Sequence, residues 1–192
     1  KPCPLRKCEP RPLKKGILMD YKSDFVVRFA GEGGQGMVTA AEALAQAAAQ
    51  VGYHAQTFVT FPSQIVGGPT WAQTRLSTIP VLSSGDDLDV LVAFNQDAYD
   101  GHKGEVRAGG VVVYDSAAFT IQDNPTVLGI PFDELGRSTG NLRAANMVVL
   151  GALAQLVNWP ESYLAEFVKK RFSRGRVDDE HIISSNIEAL KL

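Results

Sequence analysis

The 192-residue chain is long enough for one compact domain with its own core, is 45% hydrophobic and carries a formal charge of −2. So even a balance gives no electrostatic reason to expect nucleic acid or an anionic membrane as partner. The absence of a membrane-length apolar run or a secretory leader pattern, and two cysteines rather than a disulfide framework, lead to the expectation of a cytoplasmic protein.

Residues 1–22 hold seven Lys or Arg against Glu9 and Asp20, with Pro2, Pro4, Pro10 and Pro12. This composition cannot bury enough apolar surface to fold alone, and it predicts a basic, proline-rich arm. The arm is either a mobile tail or a device that docks on another subunit. Cys3 and Cys8 lie within it, and two thiols fall short of the four ligands of a zinc or iron–sulfur site, so they read as spectators. Residues 23–192 form the globular part. The run Phe25, Val26, Val27, Phe29 predicts a strand that stops at Gly31-Glu32-Gly33-Gly34-Gln35-Gly36. An alanine-rich helix follows over Met37–Val51, with Gly52 as its C-cap. His54–Thr60 and Thr70–Ser77 read as strands around a loop broken by Pro62, Gly67, Gly68 and Pro69. Leu88–Phe94, Gly110–Asp115 and Thr126–Ile130 read as further strands, with a helix over Asn95–Val106. The last third turns helical: Asn141–Val157, apolar around most of its circumference; a helix opened by Pro160 and running to about Phe172; and Asp178–Leu190. Strands alternating with helices predict a three-layer α/β/α sandwich, Rossmann-like, with a mainly parallel sheet.

The strand–glycine loop–helix unit is the part that speaks of chemistry. Free backbone N–H groups and the dipole at a helix N-terminus suit an anion, so Gly31, Gly33, Gly34 and Gly36 are candidates for holding a phosphate-bearing ligand, or else for close packing of helix on sheet. A dinucleotide site also needs an acid about 20 residues on for the ribose hydroxyls. No Asp or Glu occurs between Glu42 and Asp86, which argues against NAD binding. Gln35 and Thr39 are further candidates, with a loop amide and a backbone cap as their plainer roles. Gly67 and Gly68 serve either a turn or close ligand approach, and Arg75 either a phosphate or an acidic partner. No nucleophile–base pair or metal-spaced cluster accompanies these residues, so no catalytic residue and no metal ligand is assigned.

Three blocks resemble the gamma subunit, or gamma domain, of the 2-oxoacid:ferredoxin oxidoreductases of the pyruvate, 2-oxoglutarate and aryl-2-oxoacid type. They are Phe29 to Gly36 with the helix that follows; Thr60-Phe61-Pro62-Ser63-Gln64-Ile65-Val66-Gly67-Gly68-Pro69 with Gln73 and Arg75; and Asp89–Phe94, Gly110–Asp115, Asn146 and Asn186 at matching intervals. The resemblance implies a part of a multi-subunit enzyme that converts a 2-oxoacid and coenzyme A (CoA) to acyl-CoA, CO2 and a reduced acceptor. It implies alpha and beta partner subunits that bind thiamine diphosphate with Mg, and a ferredoxin-like partner with iron–sulfur clusters. The gamma part itself is associated with CoA and with assembly, and is inert alone. Gln64 and Val66 stand where the family usually has Glu and a cation, while Arg174-Gly175 keeps the charge of a common Lys-Gly pair. The rival readings are a purely structural subunit without a CoA role and a free-standing nucleotide-binding protein.

Overall fold

The computed structural model describes residues 23–61, 68–122, 126–141 and 144–192. The arm with its two cysteines, and Gln64, Val66 and Gly67, lie outside the described residues. Strand β1 (Asp24–Glu32) leads through the glycine loop into helix α1 (Met37–Gln50). Next come β2 (His54–Thr60), β3 (Pro69–Ser77), β4 (Leu88–Ala93), α2 (Gln96–His102), a 3-10 turn (Lys103–Glu105), β5 (Val106–Asp115) and β6 (Val127–Ile130). Helices α3 (Phe132–Ser138), α4 (Ala145–Leu156), α5 (Glu161–Phe172) and α6 (Asp179–Ala189) complete the chain.

The six strands form one sheet in the order β2-β3-β1-β4-β5-β6. β1, β4, β5 and β6 pair in parallel, whereas β3 runs antiparallel to both β1 and β2. The reversal follows from the connection: Thr60 and Pro69 are too close in sequence for a crossover helix, so β2 and β3 must return as a hairpin. Strand alternation divides the core. Phe25, Val27, Phe29, Val90, Val92, Val111 and Val113 face α1 and the C-terminal helices, while Val26, Ala30, Leu91 and Val112 face the side of α2. The layers are therefore unequal. Five helices share one face, and two-turn α2 covers the other, capped by Asn95 Oδ1, which accepts from the Ala98 N–H at 2.8 Å.

Alanines bring α1 close to the sheet: Ala40, Ala41, Ala43, Ala47 and Ala48 are fully buried. The expected glycine cap is present as a Schellman motif. Gly52 has φ +91°, its N–H donates to the Ala49 carbonyl, and the Tyr53 N–H donates to Ala48, both at 3.1 Å. On the α2 face, buried Arg28 gives Nε and Nη2 to Gln73 Oε1 at 2.9 and 2.7 Å and Nη1 to Glu105 at 2.5 Å. Its guanidinium also stacks 4.5 Å from the centre of the Trp71 ring. These contacts satisfy a charge that the sheet would otherwise strand in an apolar layer.

Candidate functional site

A cavity of about 830 Å³ opens at the carboxyl ends of β1, β4 and β5, a volume suited to a cofactor-sized ligand. This is the switch point of the sheet. The connection after β1 carries α1 to one face and the connection after β4 carries α2 to the other, and the cavity opens on the α1 side of these strand ends. Gly34, Gln35, Gly36 and Thr39 line it, as do Phe94, Asp115, Ala145 and Asn146.

The glycine loop is shaped by its own side chains. Gln35 folds back so that Oε1 accepts from the Glu32 N–H at 2.7 Å, while the Gly33 N–H donates to the Gly68 carbonyl at 3.2 Å. A Cβ on Gly31 would lie 2.4 Å from Gln35 Oε1 and 2.9 Å from Phe94 Cβ, so that glycine is required by packing. Gly34 and Gly36 adopt φ +102° and +85°, the region that favours glycine. Helix α1 then begins with no side-chain cap and no acidic residue in its first turn, and α4 begins in the same way. Two helix N-termini thus reach the cavity with polar N–H groups that no side chain of the described residues caps.

The opposite wall comes from α3, α5, α6 and the α5–α6 loop, with Arg137, Phe172, Arg174, Arg176, Asp179 and Asn186. Most of the acids there are engaged. Asp179 Oδ2 accepts from the Arg176 N–H at 3.0 Å and the Arg174 N–H at 2.5 Å, and these backbone bonds, that of Arg176 foremost, hold its carboxyl below the usual range. Asp133 accepts from Arg137 at 2.7 Å. Asp115 accepts from the Ala117 N–H at 3.0 Å, yet burial pushes its carboxyl up. The Asp179 bonds fix the loop that presents Arg174 and Arg176, and among the described residues neither guanidinium forms an ion pair. These two guanidiniums are the groups of the wall able to pair with an anion, and they stand beside the carboxylates of Glu134 and Asp179.

The structure brings Gly34, Gln35, Gly36 and Thr39 to the cavity and sets Gly31, Gly33 and Gly68 behind them as loop supports. Arg75 is not brought there. It pairs in register with Val26, five residues down the strand from the Gly31–Thr70 pair, about 17 Å from the loop by strand rise. Its guanidinium grips Asp24, with Nε at 2.8 Å from Oδ1, and bonds Ser83 Oγ at 2.6 Å. That bond to Arg75 lowers the Asp24 carboxyl below its ordinary value and raises the arginine. The acidic-partner reading of Arg75 is the one its position supports. Asn146, Arg137 and Arg176 carried no ligand signal in the sequence, and Arg174 carried only its Arg-Gly likeness. They meet in space because α4 and the α5–α6 loop fold over the end of α1.

Among the described residues no helix is long and apolar enough to cross a membrane, and no group of three or more His, Cys, Asp or Glu could hold a metal ion.

The chain is 38% identical over 133 residues to the ketoisovalerate oxidoreductase subunit VorA of Methanothermobacter marburgensis, covering 68% of this chain and 28% of that protein. It is 31% identical over 177 residues to pyruvate synthase subunit PorC of the same organism, covering 86% of this chain and 96% of that one. Among solved structures, 2-oxoglutarate:ferredoxin oxidoreductase from Magnetococcus marinus, with 2-oxoglutarate, coenzyme A and succinyl-CoA bound, superposes with a TM-score of 0.77 at 32% identity. That likeness covers 89% of this chain and 31% of the neighbour, so the chain spans about a third of some of the larger proteins it matches. Residues 26–192 match the pyruvate ferredoxin/flavodoxin oxidoreductase family, and the chain belongs to it.

Proposed function

We propose that the chain is the gamma part of a multi-subunit 2-oxoacid:ferredoxin oxidoreductase, where it positions CoA and helps hold the assembly together. The observation that carries this is the cavity itself: two uncapped helix N-termini face two guanidiniums free of ion pairs, in a fold shared with an oxidoreductase that binds CoA. CoA bears phosphates for that wall and a long arm that must deliver its thiol elsewhere. Thiamine diphosphate, Mg and iron–sulfur clusters belong, in this reading, to alpha, beta and ferredoxin-like partners, which supply decarboxylation and electron transfer. The contribution of this chain is orientation: it binds the nucleotide end and leaves the thiol free, lowering the entropic cost of the acyl-transfer step. On its own the chain is inert, and it works in the cytoplasm.

The Gln64 and Val66 departures favour a second reading, a structural subunit whose CoA role has lapsed. Purification of the tagged chain from its native cells separates these. Co-purifying thiamine- and cluster-bearing subunits, with CoA-dependent oxidation of a 2-oxoacid whose KM for CoA rises in Arg174→Ala, support the CoA reading. An unchanged KM in both Arg174→Ala and Gly36→Ala supports the structural one. A lone chain carrying bound nucleotide overturns both.

A further inference from the structure

One buried atom of a residue that lines the cavity stands unexplained by phosphate binding. Asn146 is 6% exposed, and its Nδ2 donates to the Gly36 carbonyl at 3.3 Å. That bond orients the amide, because the reversed orientation would set Oδ1 against a carbonyl, acceptor against acceptor. Oδ1 is then the one buried side-chain N or O atom among the described residues with no hydrogen-bond partner. A buried amide oxygen has lost its water, and leaving it unsatisfied is unfavourable. Gly36 permits the arrangement, since a Cβ there would lie 2.6 Å from Nδ2.

A phosphate oxygen at neutral pH brings no proton and would repel Oδ1. The neighbouring N-termini of α1 and α4 suit an anion, but this position needs a donor. We infer that Asn146 Oδ1 accepts a hydrogen bond from a neutral N–H or O–H group of the bound ligand, seated beside the Gly34–Gly36 loop, and so selects ligands that carry a donor next to a phosphate. For the identity of that ligand the inference rests on the CoA reading. CoA offers such a donor from two sources, the adenine amine and the hydroxyl or amide groups of its sugar and pantetheine arm.

The test is calorimetric titration of the full chain, wild type and Asn146→Ala, with CoA and with 1,N6-etheno-CoA, in which the adenine amine is tied into a ring. Wild type binds CoA, and Asn146→Ala weakens it about three- to tenfold, the range for one neutral hydrogen bond. If the donor is the adenine amine, etheno-CoA is weak on wild type and Asn146→Ala no longer tells the two ligands apart. If the donor lies elsewhere on CoA, both ligands weaken by the same factor; either pattern supports the inference. The melting temperature of the ligand-free protein reports any purely structural effect. Should Asn146→Ala fail to fold, Asn146→Ser keeps a hydroxyl donor toward Gly36 and the same comparison applies. Wild-type affinity for CoA in a folded variant overturns the inference alone, whereas no CoA binding by wild type overturns the CoA reading and the inference with it.

Discussion

Replacing Gly36 by alanine separates two effects that the structure assigns to that position. The first is backbone strain. At φ +85° an L-residue is disfavoured by about 1–2 kcal/mol. The second is the Asn146 contact. A Cβ 2.6 Å from Nδ2 must push the amide away by most of an ångström, breaking its bond to the Gly36 carbonyl, for about a further 1 kcal/mol. The expected loss is therefore about 2–3 kcal/mol, or a melting temperature lower by about 5–10 °C for a domain of this size. Gly52→Ala is the control: its φ of +91° is similar, but nothing lies within 4 Å of the new Cβ, so only strain applies. Urea unfolding of Gly36→Ala, of Asn146→Ala and of the two combined, with Gly52→Ala alongside, forms a cycle that isolates the contact. The double variant should show no clash, so the two single losses should not add. CoA titration should show Gly52→Ala unchanged and Gly36→Ala at least tenfold weaker. Equal destabilisation by Gly36→Ala and Gly52→Ala, with additive losses in the double variant, would refute the Asn146 contact.

Arg174→Ala and Arg176→Ala should each weaken CoA binding several-fold and flatten its salt dependence, whereas Arg75→Ala should leave CoA affinity alone and cost about 1 kcal/mol of stability, as a half-exposed pair does. Gly151→Ala should destabilise by at least about 3 kcal/mol in urea, because the new Cβ would lie 2.1 Å from the Leu190 carbonyl oxygen at the α4–α6 crossing, where backbone rather than a flexible side chain must yield. The carboxyls of Asp24 and Asp179 are lowered by their partners, so the stabilisation they give is present above their unfolded values of about 4 and is lost as pH falls through the lower folded values. Buried Asp115 is raised and acts in the opposite sense. Urea midpoints between pH 6 and 2.5 should fall toward acid in wild type and fall less in Asp24→Asn; parallel curves would sink the assignment.

Strands β1, β4 and β5 were legible because each contains a short apolar run, and α1 because alanine, loop and cap agree over its length. Helix α3 was not. Pro131 and Gly136 look like breakers, yet Gly136 is there because a Cβ would meet the Ala145 N–H group at 2.6 Å, a close helix crossing that only the fold reveals. The helix predicted over Asn141–Val157 spans Ala145–Leu156 in the structure. Half of the site was also legible: a glycine loop before a helix announces itself locally. The other half is long-range. Asn146 lies 110 residues from Gly36 in sequence, and an asparagine on an apolar helix reads as a satisfied core residue until its free oxygen is located. Arg75 stays open in the sequence for the same reason, since a strand arginine can serve either end of a sheet and only the register says which.

Strand β1 stands inside the sheet although it precedes the other strands, and four of the five helices on the α1 face of that sheet follow all six strands. On the ribosome, β1, the β2–β3 hairpin, β4 and β5 emerge with only α1 to shield Val90, Val92, Val111 and Val113. At roughly 5–20 residues per second, the stretch from the end of β5 to the end of α6 takes about 4–15 s to synthesise. For that interval a finished apolar face is open to water and to neighbouring nascent chains. A premature stop in the helical third would thus do more than remove a wall of the cavity; it would release a sheet with one side bare, and clearance by proteases or chaperones rather than loss of ligand affinity would set the fate of the product.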